Sequence, residues 1–153
     1  MGTIRYITKD DVPFIIDLLK ELDKSLEDNQ RIDPELVIEN LQAMEEQKDT
    51  YENFVYVNTG IIVGFISLLF YRSVYHRRGT AQINELIVKE GYRDQGIGKE
   101  LLEYGIRRAQ EKGMDEIEIG VEEENKRAIQ FYKKNGIGEE YLLLGKEFED
   151  EEI

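Results

Sequence analysis

Cysteine and tryptophan are absent from this sequence of 153 residues, and histidine occurs once. Without thiols there is no disulfide framework, no thiolate metal site and no cysteine nucleophile. The lone histidine, His76, sits in a polar connector and reads as a loop residue rather than a base, so no metal site is expected. Apolar runs of bilayer-spanning length are missing, and the N-terminus lacks the basic and apolar regions of a signal peptide. A cytoplasmic chain with no membrane partner is therefore expected. Basic charge is also scarce, with 20 Lys and Arg against 33 Asp and Glu and a formal net charge of -13. Nucleic-acid affinity comes largely from cations that neutralise phosphates, so no nucleic-acid partner is expected. No internal repeat or linker interrupts the chain, and its length suits a single domain over residues 1–153, with an acidic tail from Glu147.

The apolar pattern supplies the elements. Thr3–Ile7 alternates as a short strand, and Asp10 or Asp11 is positioned to cap a helix whose apolar face carries Phe14, Ile15, Leu18, Leu19 and Leu22. Lys24–Arg31 reads as a polar loop. Asp33 and Pro34 announce a second helix with Leu36, Val37, Leu41 and Met44 facing the core. Tyr51–Val57 and Ile61–Tyr71 are strand-like and are joined by the hairpin signal Asn58, Thr59, Gly60. Arg72–Gly79 is a connector, and Thr80–Val88 is a further antiparallel strand. Ile117, Ile119 and Val121 alternate with polar residues in another strand. Asn125 caps a helix bearing Ala128, Ile129, Phe131 and Tyr132, stopped by Asn135 and Gly136, and Tyr141–Leu144 suggests a last strand. This order predicts an α/β protein with a mixed sheet and helices on both faces.

Function points to Ile83–Ala109, where the strand around Leu86, Ile87 and Val88 runs through a glycine-bearing loop into an amphipathic helix. Backbone N–H groups at such a helix start lack intrahelical partners, and glycines let a ligand approach them, so a phosphate is the natural guest. A Walker A loop is excluded, because Ile97 and Gly98 stand where lysine and a hydroxyl residue belong. A dinucleotide fingerprint fits poorly, because Leu101 occupies the third glycine position and the strand ends a hairpin series.

The remaining pattern is R-x-x-G-x-G, filled by Arg93, Gly96 and Gly98. With L-I-V before it, K-E-L-L after it and N-K-R-A-I-Q-F-Y-K-K-N-G at Asn125–Gly136, the chain resembles the GNAT superfamily of N-acetyltransferases. The resemblance follows the whole element order, while its specific motifs cover Thr80–Gly136. It implies a mixed, mostly antiparallel central sheet of about six to seven strands, with acetyl-CoA as acetyl donor and an amine acceptor as partners; a homodimer is an allowed assembly. By match to the motif, Arg93, Asp94, Gln95, Gly96, Ile97, Gly98 and Lys99 form the loop for the CoA pyrophosphate. The charge of Arg93 either aids the phosphates or faces solvent. Lys126 and Arg127 could reach the distal nucleotide end, or form a solvated basic turn.

Direct transfer to an amine requires a neutral amine, an oxyanion stabiliser and a proton for the departing thiolate. The resemblance assigns the stabilising backbone to Leu86, Ile87 and Val88, the proton to Tyr132 and a CoA contact to Asn125, which is also the expected N-cap. The base is open. Gln82 and Asn84 are amides where some members carry acids, Glu85 is the carboxylate on that strand, and Glu122, Glu123 and Glu124 are alternatives. Gly120 stands where ribosomal-protein N-terminal acetyltransferases place a catalytic glutamate, which argues against that subfamily. Acceptor pockets of the family draw on regions that here hold Asp23, Glu27, Asp28, Tyr71, Tyr75 and His76. Two readings compete with catalysis: a CoA-binding module that has lost activity, and an acidic protein-interaction domain.

Overall fold

The computed structural model describes residues 2–25 and 32–149, with residues 23–25 by backbone alone. Two compact units divide the chain, Met1–Gly120 and Val121–Ile153. The first contains β1 (Gly2–Tyr6), α1 (Val12–Ser25), α2 (Pro34–Glu45), β2 (Tyr51–Asn58), β3 (Ile61–Tyr71), β4 (Thr80–Val88), α3 (Ile97–Glu111) and β5 (Glu116–Ile119). The second contains α4 (Lys126–Lys134).

The five strands form one sheet in chain order; β1 to β4 are antiparallel, and β5 joins β4 in parallel. The sheet is thus mixed and mostly antiparallel, with fewer strands than expected. Tyr141–Leu144 forms no strand: these residues are irregular, and all four side chains are exposed. Apolar, β-prone residues form a strand only when an edge accepts their backbone groups.

Pleating gives the sheet two faces. Val55, Phe65 and Ile87 pack with Ile15 and Leu18 of α1 and Leu41 of α2. On the other face Phe54 meets Tyr104 of α3 at 4.9 Å between ring centres, and Gly64 and Gly105 have no room for a β-carbon because Leu101 and Ile66 press on them. The α3 side is also tied electrostatically. Arg108 clamps the buried Glu52 of β2 with bonds of 2.8 and 2.6 Å, and this bidentate pairing raises the guanidinium pKa further.

Turn and cap chemistry explains most boundaries. Thr59 (φ 48) and Gly60 (φ 77) make the two-residue hairpin turn between β2 and β3. Asp33 accepts from the Glu35 N–H at 3.1 Å, capping α2 with Pro34 behind it. The entry to α1 differs from expectation. A short 3₁₀ turn at Lys9–Asp11 precedes it, and Asp11 reaches back to the Thr8 N–H at 2.7 Å while pairing with Arg5. Phe14 and Leu36 are 54% and 52% exposed, because each lies at the margin of its helix's apolar stripe rather than in the core. The expected loop after α1 begins later, since α1 runs to Ser25; residues 26–31 lie outside the described chain, as does the tail from residue 150.

In the second unit, the Asn125 carboxamide caps α4 by accepting from the Ala128 N–H at 3.2 Å. Its C-terminus closes through Gly136 (φ 95) and a bond of 2.9 Å from the Ile137 N–H to the Tyr132 carbonyl.

Candidate active site

The site is organised by a mismatch in strand length. β5 pairs with β4 only from Thr80↔Glu116 to Ile83↔Ile119, whereas β4 continues to Val88. Its outer edge from Asn84 to Val88 therefore has no strand partner among the described residues. The Lys89 N–H donates to the Val63 carbonyl on the β3 side at 2.8 Å. Alternation along the strand then turns the backbone groups of Leu86 and Val88 outward and those of Ile87 toward β3. Of the three residues expected to offer backbone groups, Ile87 instead contributes a buried side chain to the α1 and α2 face.

The loop after β4 folds back onto this edge. The Arg93 guanidinium donates through Nε to the Val88 carbonyl at 3.1 Å, so its charge helps hold loop and strand together. Gln95 Nε2 donates to the Gly91 carbonyl at 3.3 Å. Gly91 (φ 90), Asp94 (φ 63) and Gly96 (φ 84) all take left-handed conformations, and α3 begins immediately afterwards. Gly96 is the N-cap with no side chain over the helix end, and a β-carbon built on it would meet nothing within 4 Å. The Ile97, Gly98 and Lys99 amides at this start are not consumed by the helix, whose first intrahelical bond is Glu100 N–H to the Gly96 carbonyl at 3.0 Å. Ile97 anchors the turn with a buried side chain, while Lys99 pairs loosely with Glu103 at 3.9 Å. Thus the first unit brings together a sheet edge with outward backbone groups and a helix start with free amides, an arrangement suited to an anionic, extended ligand.

Glu85 stands at the same edge. A bulge leaves Asn84 without a partner on β3, because Ser67 pairs with Glu85 and Leu68 with Ile83. Register places Asn53, Ser67 and Glu85 side by side across three strands on the α1 and α2 face. Burial pushes the Glu85 carboxyl pKa above its ordinary value. This polar row was missed in the sequence, where nothing but a correct register could join residues so far apart. Further along the same face, Tyr71 hydrogen-bonds Glu118, Thr80 bonds Glu116 at 3.0 Å, and His76 lies 3.4 Å from Glu116. The bond to Glu118 pushes the Tyr71 phenol up to about 12, so it acts as a donor. Tyr75 is exposed in the connector. Glu27, Asp28 and the side chain of Asp23 lie outside the described residues.

The other two candidates belong to the second unit. Tyr132 is 8% exposed and meets Phe131 edge-on at 5.2 Å between ring centres. The Asn125 side-chain oxygen is engaged in capping. Glu122, Glu123 and Glu124 are exposed residues before α4.

Residues 15–137 match the model of the Acetyltransferase (GNAT) family. Over 93 residues, 60% of its length, the chain is 36% identical to an uncharacterized N-acetyltransferase of Methanocaldococcus jannaschii; the match spans only 41% of that relative. Two solved structures share the fold. A possible acetyltransferase from Clostridium difficile 630 superposes with a TM-score of 0.83 at 21% identity, covering 97% of this chain and 98% of that one. A transcriptional regulator from Bacillus halodurans C-125 superposes with a TM-score of 0.80 at 25% identity, covering 97% and 100%.

Proposed function

The chain belongs to the acetyltransferase (GNAT) family, and from that premise we propose that it is an acetyl-CoA-dependent N-acetyltransferase acting on a primary amine by direct attack in a ternary complex. The observation that carries this reading is the outward edge of β4 at Leu86 and Val88 lying beside the uncapped start of α3.

Bound acetyl-CoA supplies an acetyl group activated as a thioester. The amides of Ile97, Gly98 and Lys99 hold its pyrophosphate, helped by the helix dipole, with Gly96 leaving the approach open and Arg93 fastening the loop. The backbone groups of Leu86 and Val88 orient the arm that carries the acetyl group. An alkyl ammonium with a pKa near 10.4 costs roughly 4 to 5 kcal/mol to neutralise at pH 7. Glu85 takes that proton, directly or through water, and its raised pKa brings it nearer to working pH, where a general base is most effective. Tyr132 donates a proton to the departing thiolate; this assignment rests on its position in N-K-R-A-I-Q-F-Y. The same motif carries the proposal that Asn125, Lys126 and Arg127 contact the nucleotide end of CoA.

The acceptor is a small-molecule, polyamine or peptide amine. Glu85, Glu116 and Glu118 share the α1 and α2 face of the sheet, which favours a cationic acceptor there. Thiol release from acetyl-CoA, measured across a panel of polyamines, amino sugars and lysine peptides, tests the reading. Turnover with at least one amine is expected. Tight CoA binding with no turnover on any of them would instead mark a catalytically silent CoA-binding domain.

A further inference from the structure

We propose that a second binding site lies between α2, the end of β1 and the start of β2, and that it takes a free amino acid whose side chain ends in an N–H or O–H donor. β1 stops at Tyr6, opposite Phe54, while β2 reaches back to Tyr51. The uncovered beginning of β2 and the overlying end of α2 enclose a cavity of about 240 Å³, lined by Tyr6, Met44, Glu45, Lys48, Tyr51 and Asn53 among others.

Three parts of this cavity define its guest. Its floor is the carboxamide of Asn53, which is 7% exposed. Asn53 Nδ2 meets the Met44 sulfur at 3.7 Å, a weak acceptor, and Asn53 Oδ1 has no hydrogen-bond partner among the described residues. A buried acceptor of this kind carries an unpaid desolvation cost until a donor reaches it. The walls include Met44 and Tyr51, which suit an apolar stem. The rim holds opposite charges, Lys48 and Glu45, paired at 3.2 Å with both side chains largely exposed. An exposed pair of this kind contributes little, so exchanging it for the carboxylate and ammonium of a zwitterion costs little. Donor, stem and zwitterionic head together describe an amino acid such as glutamine.

This site is separate from the edge of β4. Asn53 is two strands away from Glu85, and the buried Glu52 beside it is already matched by Arg108.

The test is calorimetric titration of the intact chain with L-glutamine and with L-leucine, which shares the head and stem but lacks the donor. Glutamine is expected to bind about tenfold more tightly, the effect of satisfying one buried acceptor. Asn53→Leu should abolish that preference without lowering the melting temperature, and Lys48→Ala, at an exposed position, should weaken both ligands alike. Equal binding of the two amino acids, binding of neither, or a preference that survives Asn53→Leu would overturn the proposal.

Discussion

Replacing Gly96 separates what the loop does for the fold from what it does for a ligand. Gly96 has φ 84 and ψ 2, and the space around its α-carbon is open. Alanine there clashes with nothing, so its cost is the left-handed conformation itself, about 1 to 2 kcal/mol. For a chain of this length that lowers the melting temperature by about 2 to 4 °C per kcal/mol. Asparagine tolerates the conformation better and should cost less. The informative comparison is then Gly96→Asn against Gly96→Asp, which differ in charge at nearly equal shape. A carboxylate about 4 Å from a phosphate charge is repelled by roughly 1 to 4 kcal/mol, depending on how much water screens it. CoA affinity by calorimetry should therefore fall at least about fivefold from Asn to Asp, and the gap should narrow as salt is raised. Equal affinities for the two variants, or wild-type affinity for Gly96→Asp, would refute a pyrophosphate at the start of α3.

Three further outcomes are expected. Because burial raises the Glu85 pKa, the folded state holds its proton to higher pH than the unfolded state does, so Glu85 costs stability as pH rises through that window. Glu85→Gln should thus raise the melting temperature at neutral pH while lowering turnover by about 10² to 10⁴ and removing the acid limb of the rate profile; a lower melting temperature with unchanged turnover would reduce Glu85 to a structural residue. Tyr132→Phe should lower turnover more than CoA affinity, and an unchanged rate would return Tyr132 to packing. Arg108→Met leaves the buried Glu52 carboxylate with only the Tyr6 hydroxyl at 3.3 Å and Lys112 at 3.7 Å, and should cost about 3 kcal/mol in denaturant unfolding; a loss under about 1 kcal/mol would show that Lys112 takes over the pair.

Features encoded within a few consecutive residues were legible from the chain. Asp33 followed by proline, Thr59 with Gly60, Asn125 at the head of α4, and Gly96 before Ile97 each combine a backbone demand with the residue that meets it. The entry to α1 was not so legible: Asp11, expected with Asp10 as a candidate cap for that helix, ends a 3₁₀ turn and turns its carboxylate back to Thr8 and Arg5. What depends on register was not legible. The bulge at Asn84 decides which side chains stand beside Glu85, and bulges leave no reliable mark in a single sequence. The open edge of β4 arises because β5 ends at Ile119, a fact about a neighbouring strand. Arg93, with two readings in sequence, is engaged by the Val88 carbonyl. Tyr141–Leu144 shows the opposite failure: its pattern is strand-like, yet an apolar pattern cannot by itself provide a pairing edge.

The proposed site holds CoA between the outer edge of β4 and the start of α3. Backbone amide shifts followed by NMR during a CoA titration test it most directly. The largest changes are predicted at Leu86, Val88, Gly96, Ile97, Gly98 and Lys99, with Ile87 less affected because its amide faces β3. Changes centred on the β1 and α2 cavity, or no saturable change at all, would contradict it.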